Sequence, residues 1–188
     1  MSVETTAGPE ARAQRLCELA AIGASSAAGA LEQLLDRPFR AGAATLRTPV
    51  RGVAEGDWGA AAFFEAYGEL RGVIALLLSP ATCDALACLS IPPGGQGAGS
   101  DPADSALCEC GNIVASQTVS RIADNLNARV MLSVPTLVRN DPEGELADWI
   151  AERHGSGEIP WIESELLEPE GELRAMLVVV PDALVSEP

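Results

Sequence analysis

The chain has 188 residues, of which 47% are hydrophobic and 21% charged, and a formal net charge of −15. That length fills one domain, or two small ones sharing a core, and the composition is that of a folded protein rather than a disordered one. So much negative charge argues against partners rich in phosphate, nucleic acid and anionic lipid alike.

No apolar run reaches the eighteen or more residues of a membrane-spanning helix. The opening MSVETTAGPEARAQR has no basic segment followed by an apolar one, so no signal peptide is expected and the expected compartment is the cytosol. Five cysteines, Cys17, Cys83, Cys88, Cys108 and Cys110, are odd in number and lack C-x2-C spacing. They read as reduced thiols used for packing, with no metal site. Aromatic residues are only 4% of the chain, so the core must be built from Ala, Leu, Val and Ile.

Residues 1 to 10 read as a disordered lead-in, ahead of a single domain over residues 11–188. Leu16, Leu19, Ala20, Ile22, Ala27, Ala30, Leu31 and Leu34 recur at helical spacing, which predicts a long Ala-rich helix from about Ala11 to Leu35, ended by Arg37-Pro38. Ala43–Ala54 reads as a strand with Pro49 at an edge or bulge. Ala60–Glu69 and Arg71–Leu78 read as a hairpin turning near Gly68 or Gly72, and Ser79–Leu89 as a short helix with Pro at its start. The first half closes near residue 91.

Residues 92–100, PPGGQGAGS, form the one clear linker. Being Gly-rich does not make them a phosphate loop, because Lys-Ser/Thr is missing. The second half, residues 101–188, opens on DPADSALCECGNIVASQTVSRIADNLN. Asp101 is placed to cap a helix, Pro102 suits its first position, and Asp104 adds negative charge to the first turn. Cys108, Ala115, Val119, Ile122 and Leu126 give it an apolar stripe. Beside that stripe Ser105, Glu109, Asn112 and Ser116 fall within an arc of about 60°. A hydroxyl, a carboxylate and a carboxamide thus share one face at the border of the core.

A strand at Ala128–Val138, a helix around Glu143–Arg153, strands at Ile159–Leu167 and Leu173–Val180, and a turn or helix from Asp182 complete the second half. His154, the only histidine, falls in an apparent loop and has no partner pattern for a Ser-His hydrolase. The acidic Glu163–Glu172 segment reads as a solvated strand edge and turn. The halves repeat one another. Leu16-Cys17-Glu18, Ile22 and Ala24-Ser25 match Leu107-Cys108-Glu109, Ile113 and Ala115-Ser116, and Gly68-Glu69-Leu70-Arg71 recurs as Gly171-Glu172-Leu173-Arg174. Pro49 matches Pro135 in the same comparison, and the Glu143–Arg153 helix reads as an insertion. The expected architecture is an α+β, two-layer duplication: a pseudo-twofold helix-plus-three-strand repeat whose long helices pack on a central, mostly antiparallel sheet.

Ser105-x3-Glu109-x2-Asn112, followed after twenty-two residues by Pro135, resembles the signature of the CheC/CheX family of chemotaxis response-regulator phosphatases. Glu-x2-Asn alone occurs by chance in many helices, and without its flanks the pair would read as solvated surface. The four-point spacing and the flanking SALCECGNIVAS carry the resemblance, which extends over about residues 12 to 185. It implies a CheC-like fold and hydrolysis of the phosphoaspartate of a CheY-type response regulator. Asn112 would hold the attacking water, Glu109 would dock on the partner's active-site lysine, Ser105 would shape the site, and Pro135 would fix a strand bend. It also implies no cofactor of the chain's own, with Mg²⁺ on the partner, and CheD as a candidate second partner. The alternative it leaves open is a binding module or scaffold of the same fold, resembling the flagellar switch proteins.

The same spacing fails in the first half. Gln14 and Glu18 are followed by Ala21 where Asn is needed and Ala44 where Pro is needed. Glu18 therefore reads as the remnant of a degenerate first site, and the chain as a one-site enzyme.

Overall fold

The structure, a computed structural model, describes residues 9–47, 56–89, 101–155 and 159–182. The lead-in before Pro9, Pro49, the linker 92–100 and the last six residues lie outside them. The first half comprises α1 (Pro9–Leu35), β1 (Arg40–Ala41), β2 (Thr45–Arg47), β3 (Ala60–Gly68), β4 (Gly72–Leu78) and α2 (Pro80–Leu89). The second comprises α3 (Pro102–Leu126), β5 (Val130–Leu132), β6 (Thr136–Val138), α4 (Pro142–His154), β7 (Trp161–Leu167) and β8 (Arg174–Pro181). α1 stops where Asp36 turns left-handed at φ 52°, one residue before Arg37-Pro38. The β3–β4 turn uses both candidate glycines. Gly68 (φ 115°) lies so close to the Arg129 carbonyl that a Cβ would collide with it, and Gly72 (φ 158°) is likewise pressed against the Val180 carbonyl.

All eight strands join one sheet in the order β1-β7-β8-β4-β3-β5, with β2 continuing β1 along β7 and β6 continuing β5 along β3. Every pairing is antiparallel. Each half thus lends its short strands to the edge of the other half. At the offset set by the two Gly-Glu-Leu-Arg turns, Ala75 corresponds to Val178, and these two residues are partners in the central β4–β8 ladder. The pseudo-twofold axis therefore crosses the sheet between them.

β4 and β8 are buried on both faces, which is why each reads as an unbroken apolar run. On one face Phe64, Ile74, Leu76, Leu78, Leu177 and Val179 meet α1, α2 and α3. The two long helices touch closely: a Cβ on Gly23 would come within 2.9 Å of both Thr118 and Ile122. Ser26 also donates to the Gln117 carbonyl at 3.3 Å. The opposite face carries an addition to the two-layer plan. There α4 and Trp58 cover Phe63, Leu77, Met176 and Val178, with Phe63 and Trp149 stacked at 5.2 Å.

Two sequence readings are corrected. His154 is not in a loop but ends α4, where its imidazole is 7% exposed and lies 3.6 Å from Asp182. In the Glu163–Glu172 segment the turn at 169–172 is exposed as expected, but the strand is not a free edge, because β1 and β2 cover β7. Its Glu163 is held by Arg47 at 2.7 Å and its Glu168 by Arg37 at 3.2 Å.

Candidate functional site

The α3 start is capped as its sequence predicts: the Asp101 carboxylate accepts from Ala103 N–H at 3.0 Å, with Pro102 in the first turn. Asn127, left-handed at φ 50°, closes the other end. The buried stripe is rotated slightly from the expected one. Leu107, Cys110, Gly111, Val114, Ala115, Thr118, Val119 and Ile122 face the core, whereas Cys108 is only half-buried and Leu126 is exposed. Gly111 explains how near α3 comes to the sheet: a Cβ there would stand 2.6 Å from that of Ala62. Only glycine allows this approach, and the next residue is Asn112.

The expected Ala128–Val138 strand is broken in the middle, and the break builds the site; of the expected Ala43–Ala54 strand, β2 (Thr45–Arg47) forms and residues 48–54 lie outside the described residues. Along β3, Ala66 pairs with Leu132 and Phe63 with Thr136. Two β3 residues, Phe64 and Glu65, therefore oppose three, Ser133, Val134 and Pro135. This is a β-bulge, with proline at a position where a ladder needs no N–H. Ser133 pins it: its N–H donates to the Glu65 carbonyl at 2.9 Å, its Oγ accepts from Glu65 N–H at 3.0 Å, and its hydroxyl donates to the Val134 carbonyl at 2.9 Å. The bulge pushes out toward α3. Between the two lies an open groove of about 480 Å³, lined by Ser105, Cys108, Glu109, Asn112, Leu132, Ser133, Val134 and Pro135.

All four residues singled out by spacing thus line one groove, three on the helix wall and Pro135 on the bulge wall. Ser105, Glu109 and Asn112 are exposed. Among the described residues, the Glu109 and Asn112 side chains have no hydrogen-bonding or ionic partner, so both functional groups are left to whatever enters the groove. Arg139, just beyond β6, pairs with Asp104 at 3.1 Å and ties the bulge strand to the first turn of α3. Ser133, Gly111 and Arg139 were not singled out from the sequence. A glycine inside a helical pattern, next to the candidate carboxamide, was the one legible signal for close backbone approach.

The thiols near the groove are poor nucleophiles. Burial, reinforced by Asp104, raises the Cys108 thiol above its ordinary value, and burial pushes Cys110 up to about 12. A thiolate is the reactive form, and neither would be one near neutral pH. No cluster of three or more His, Cys, Asp or Glu suited to a metal occurs among the described residues.

The first half supplies an internal comparison. Ala41 pairs with Leu166 and Thr45 with Glu163, so Gly42, Ala43 and Ala44 form the same bulge at the opposite edge of the sheet. Ala44 occupies the Pro135 position, Ala43 that of Val134, and Gly42 that of Ser133. The helix wall differs as well. Glu18 is tied to Arg15 at 3.2 Å and accepts from Gln14 at 3.5 Å, and Ala21 offers no carboxamide. The geometry is duplicated; the chemistry is not.

Residues 103–139, which run from the first turn of α3 through β6 and contain the whole groove, match the model of the CheC-like family. No curated protein matches the chain by sequence. A chemotaxis protein from Desulfovibrio vulgaris Hildenborough is similar in fold, with TM-score 0.61, 15% identity, and coverage of 87% of this chain and 96% of that one. A chain of the CheX–CheY–BeF3–Mg²⁺ complex from Borrelia burgdorferi is similar at TM-score 0.53 and 13% identity, covering 85% and 94%. A chain of the FliG–FliM complex from H. pylori is similar at TM-score 0.60 and 10% identity, covering 94% and 98%. Motif and fold together bear out the CheC/CheX resemblance: the chain carries the CheC-like segment, with the groove that segment builds, on a CheC/CheX-type fold.

Proposed function

We propose that the protein removes the phosphoryl group from the phosphoaspartate of a CheY-type response regulator, using the α3–bulge groove. The observation that carries this reading is the unengaged pair Glu109 and Asn112, exposed a helical turn apart on one wall of the groove, set against the tied Glu18 and the missing carboxamide in the first half. A CheX–CheY complex on a similar fold supports the choice of partner.

An acyl phosphate on a regulator already has its own Mg²⁺ and charged groups to stabilise the transferring phosphoryl. What hydrolysis still needs is a water held in line with the scissile bond. A carboxamide both donates and accepts, so Asn112 can orient such a water through two hydrogen bonds. The water oxygen attacks phosphorus, the bond from phosphorus to the aspartyl oxygen breaks, and the aspartate leaves as a carboxylate with inorganic phosphate and a proton released. Glu109 meets the regulator's lysine, which sets the register of the two proteins and keeps bulk water out. Ser105 shapes the near end of the groove and Pro135 stiffens the far wall. The chain itself brings no cofactor. Phosphate release from a phosphorylated CheY-type regulator, compared for wild type, E109A and N112A, tests the assignment; equal rates for wild type and N112A refute it.

A second reading has one observation behind it. The likeness to a chain of the FliG–FliM complex is no weaker than that to the chain of the CheX–CheY complex, so the fold also occurs in a complex of other proteins. A binding module, or a scaffold for the regulator or for CheD, would form the complex without speeding phosphate release.

A further inference from the structure

Resting on the reading of the groove as the regulator's docking site, we infer that Val134, held outward by the Ser133 bulge, is a preformed anchor for the phosphorylated regulator and sets its affinity. Val134 is 84% exposed, the most exposed large hydrophobic among the described residues, and it stands on the rim of the groove that holds Glu109 and Asn112. Nothing in folding rewards that placement. A bulge interrupts the ladder, and an apolar side chain left in water gains no burial.

The placement is nonetheless fixed. Ser133 satisfies both backbone groups of Glu65 across the bulge and also binds the Val134 carbonyl. Pro135 locks the following φ. Valine itself is stiff at χ1, so an incoming surface immobilises little that was free. A rigid apolar knob beside two polar groups is the arrangement expected of an interface, where a dry contact shields the polar chemistry from water.

The first half tests the correlation within one molecule. Its equivalent bulge, Gly42-Ala43-Ala44, has the same register but neither the hydroxyl that pins it nor the knob, and it faces a helix without the carboxamide. Where the chemistry is gone, the anchor is gone as well. If Val134 served folding, both bulges would need it.

The test measures binding and turnover separately. Binding is read by calorimetry against a CheY-type regulator loaded with beryllium fluoride and Mg²⁺; turnover is read as phosphate release from the phosphorylated regulator. V134A should raise Kd and KM about tenfold with kcat at saturation unchanged, and V134I should restore both. The same variants should unfold at the wild-type temperature, since the side chain is exposed. The triple change S133G/V134A/P135A, which writes the first half's bulge into the second, should weaken binding further. An unchanged Kd for V134A, or a loss confined to kcat, overturns the inference. N112A separates it from the catalytic reading: if N112A hydrolyses like wild type while V134A binds weakly, the catalytic reading fails and the anchor stands. If N112A binds but does not hydrolyse and V134A binds normally, the anchor fails alone. No binding by the wild-type protein overturns both.

Discussion

At the scale of single residues, the proposed function rests on what Glu109 and Asn112 leave undone. Several carboxylates are engaged within the chain: Glu18 by Arg15, Glu163 by Arg47, Glu168 by Arg37. Glu109 is not, and a carboxylate without a partner in its own molecule is available to a partner's cation. E109Q keeps the shape and removes the charge. It should raise KM about tenfold and flatten the dependence of binding on ionic strength, because the lost contact is electrostatic. Stopped-flow association at two salt concentrations reads both effects. An E109Q protein that associates with the wild-type salt dependence would assign Glu109 a steric role only.

Elements place these residues, and two of them make predictions of their own. α3 rides close to β3 because Gly111 has no side chain toward Ala62. G111A would overpack that contact, at a cost of about 1–3 kcal/mol, and would lift Asn112 away from the bulge. Its thermal midpoint should fall and its phosphate release should fall further than the population of folded protein accounts for. A variant with unaltered midpoint would mean that the helix can shift freely over the sheet. α4 is anchored on the other face through Arg153, which bridges Glu65 and Asp182 at 3.3 Å each, and through the buried His154. Burial holds the His154 pKa below its ordinary value; nearby Asp182 pulls it up and Arg153 pushes it down. The unfolded chain therefore binds this proton more readily than the folded one. The histidine's contribution is complete above its ordinary pKa of about 6.5 and is lost as the pH falls toward the depressed folded value. Denaturant unfolding at pH 7.5 and 5.5 should show wild type losing more stability than H154Q on acidification. Equal losses would remove His154 from the account.

At the scale of the whole molecule, the pseudo-twofold makes two bulges and two long helices but one equipped groove. Restoring only the missing carboxamide, in A21N, should add no measurable phosphate release in an N112A background, because Glu18 stays paired with Arg15 and Gly42-Ala43-Ala44 lacks an anchor. Release recovered to the wild-type rate would show that a carboxamide suffices whatever surrounds it. The duplication was legible in the letters, since Leu-Cys-Glu and Gly-Glu-Leu-Arg recur at fixed offsets and β4 and β8 announce their double burial as unbroken apolar runs. The α3 face was legible because capping residues and helical period fix which side chains share an arc. The bulges were not. A run such as ARVMLSVPTLV has strand composition throughout, and the extra residue shows only when its partner strand is known. Pairing Pro135 with Pro49 followed from letters, whereas register matches it to Ala44. His154 and the strand part of the Glu163–Glu172 segment misled for a related reason, since the packing of α4 on the sheet and the covering of β7 by β1 and β2 are tertiary facts.

Whether the Asn112 carboxamide aligns water on a phosphoaspartate held in the groove is decided by single-turnover phosphate release at saturating protein, where binding no longer limits the rate. Wild type should accelerate release from a phosphorylated CheY-type regulator, and N112A, still bound to it, should lose about 10²-fold or more of that rate. Release by fully bound N112A at the wild-type rate would contradict that role of Asn112.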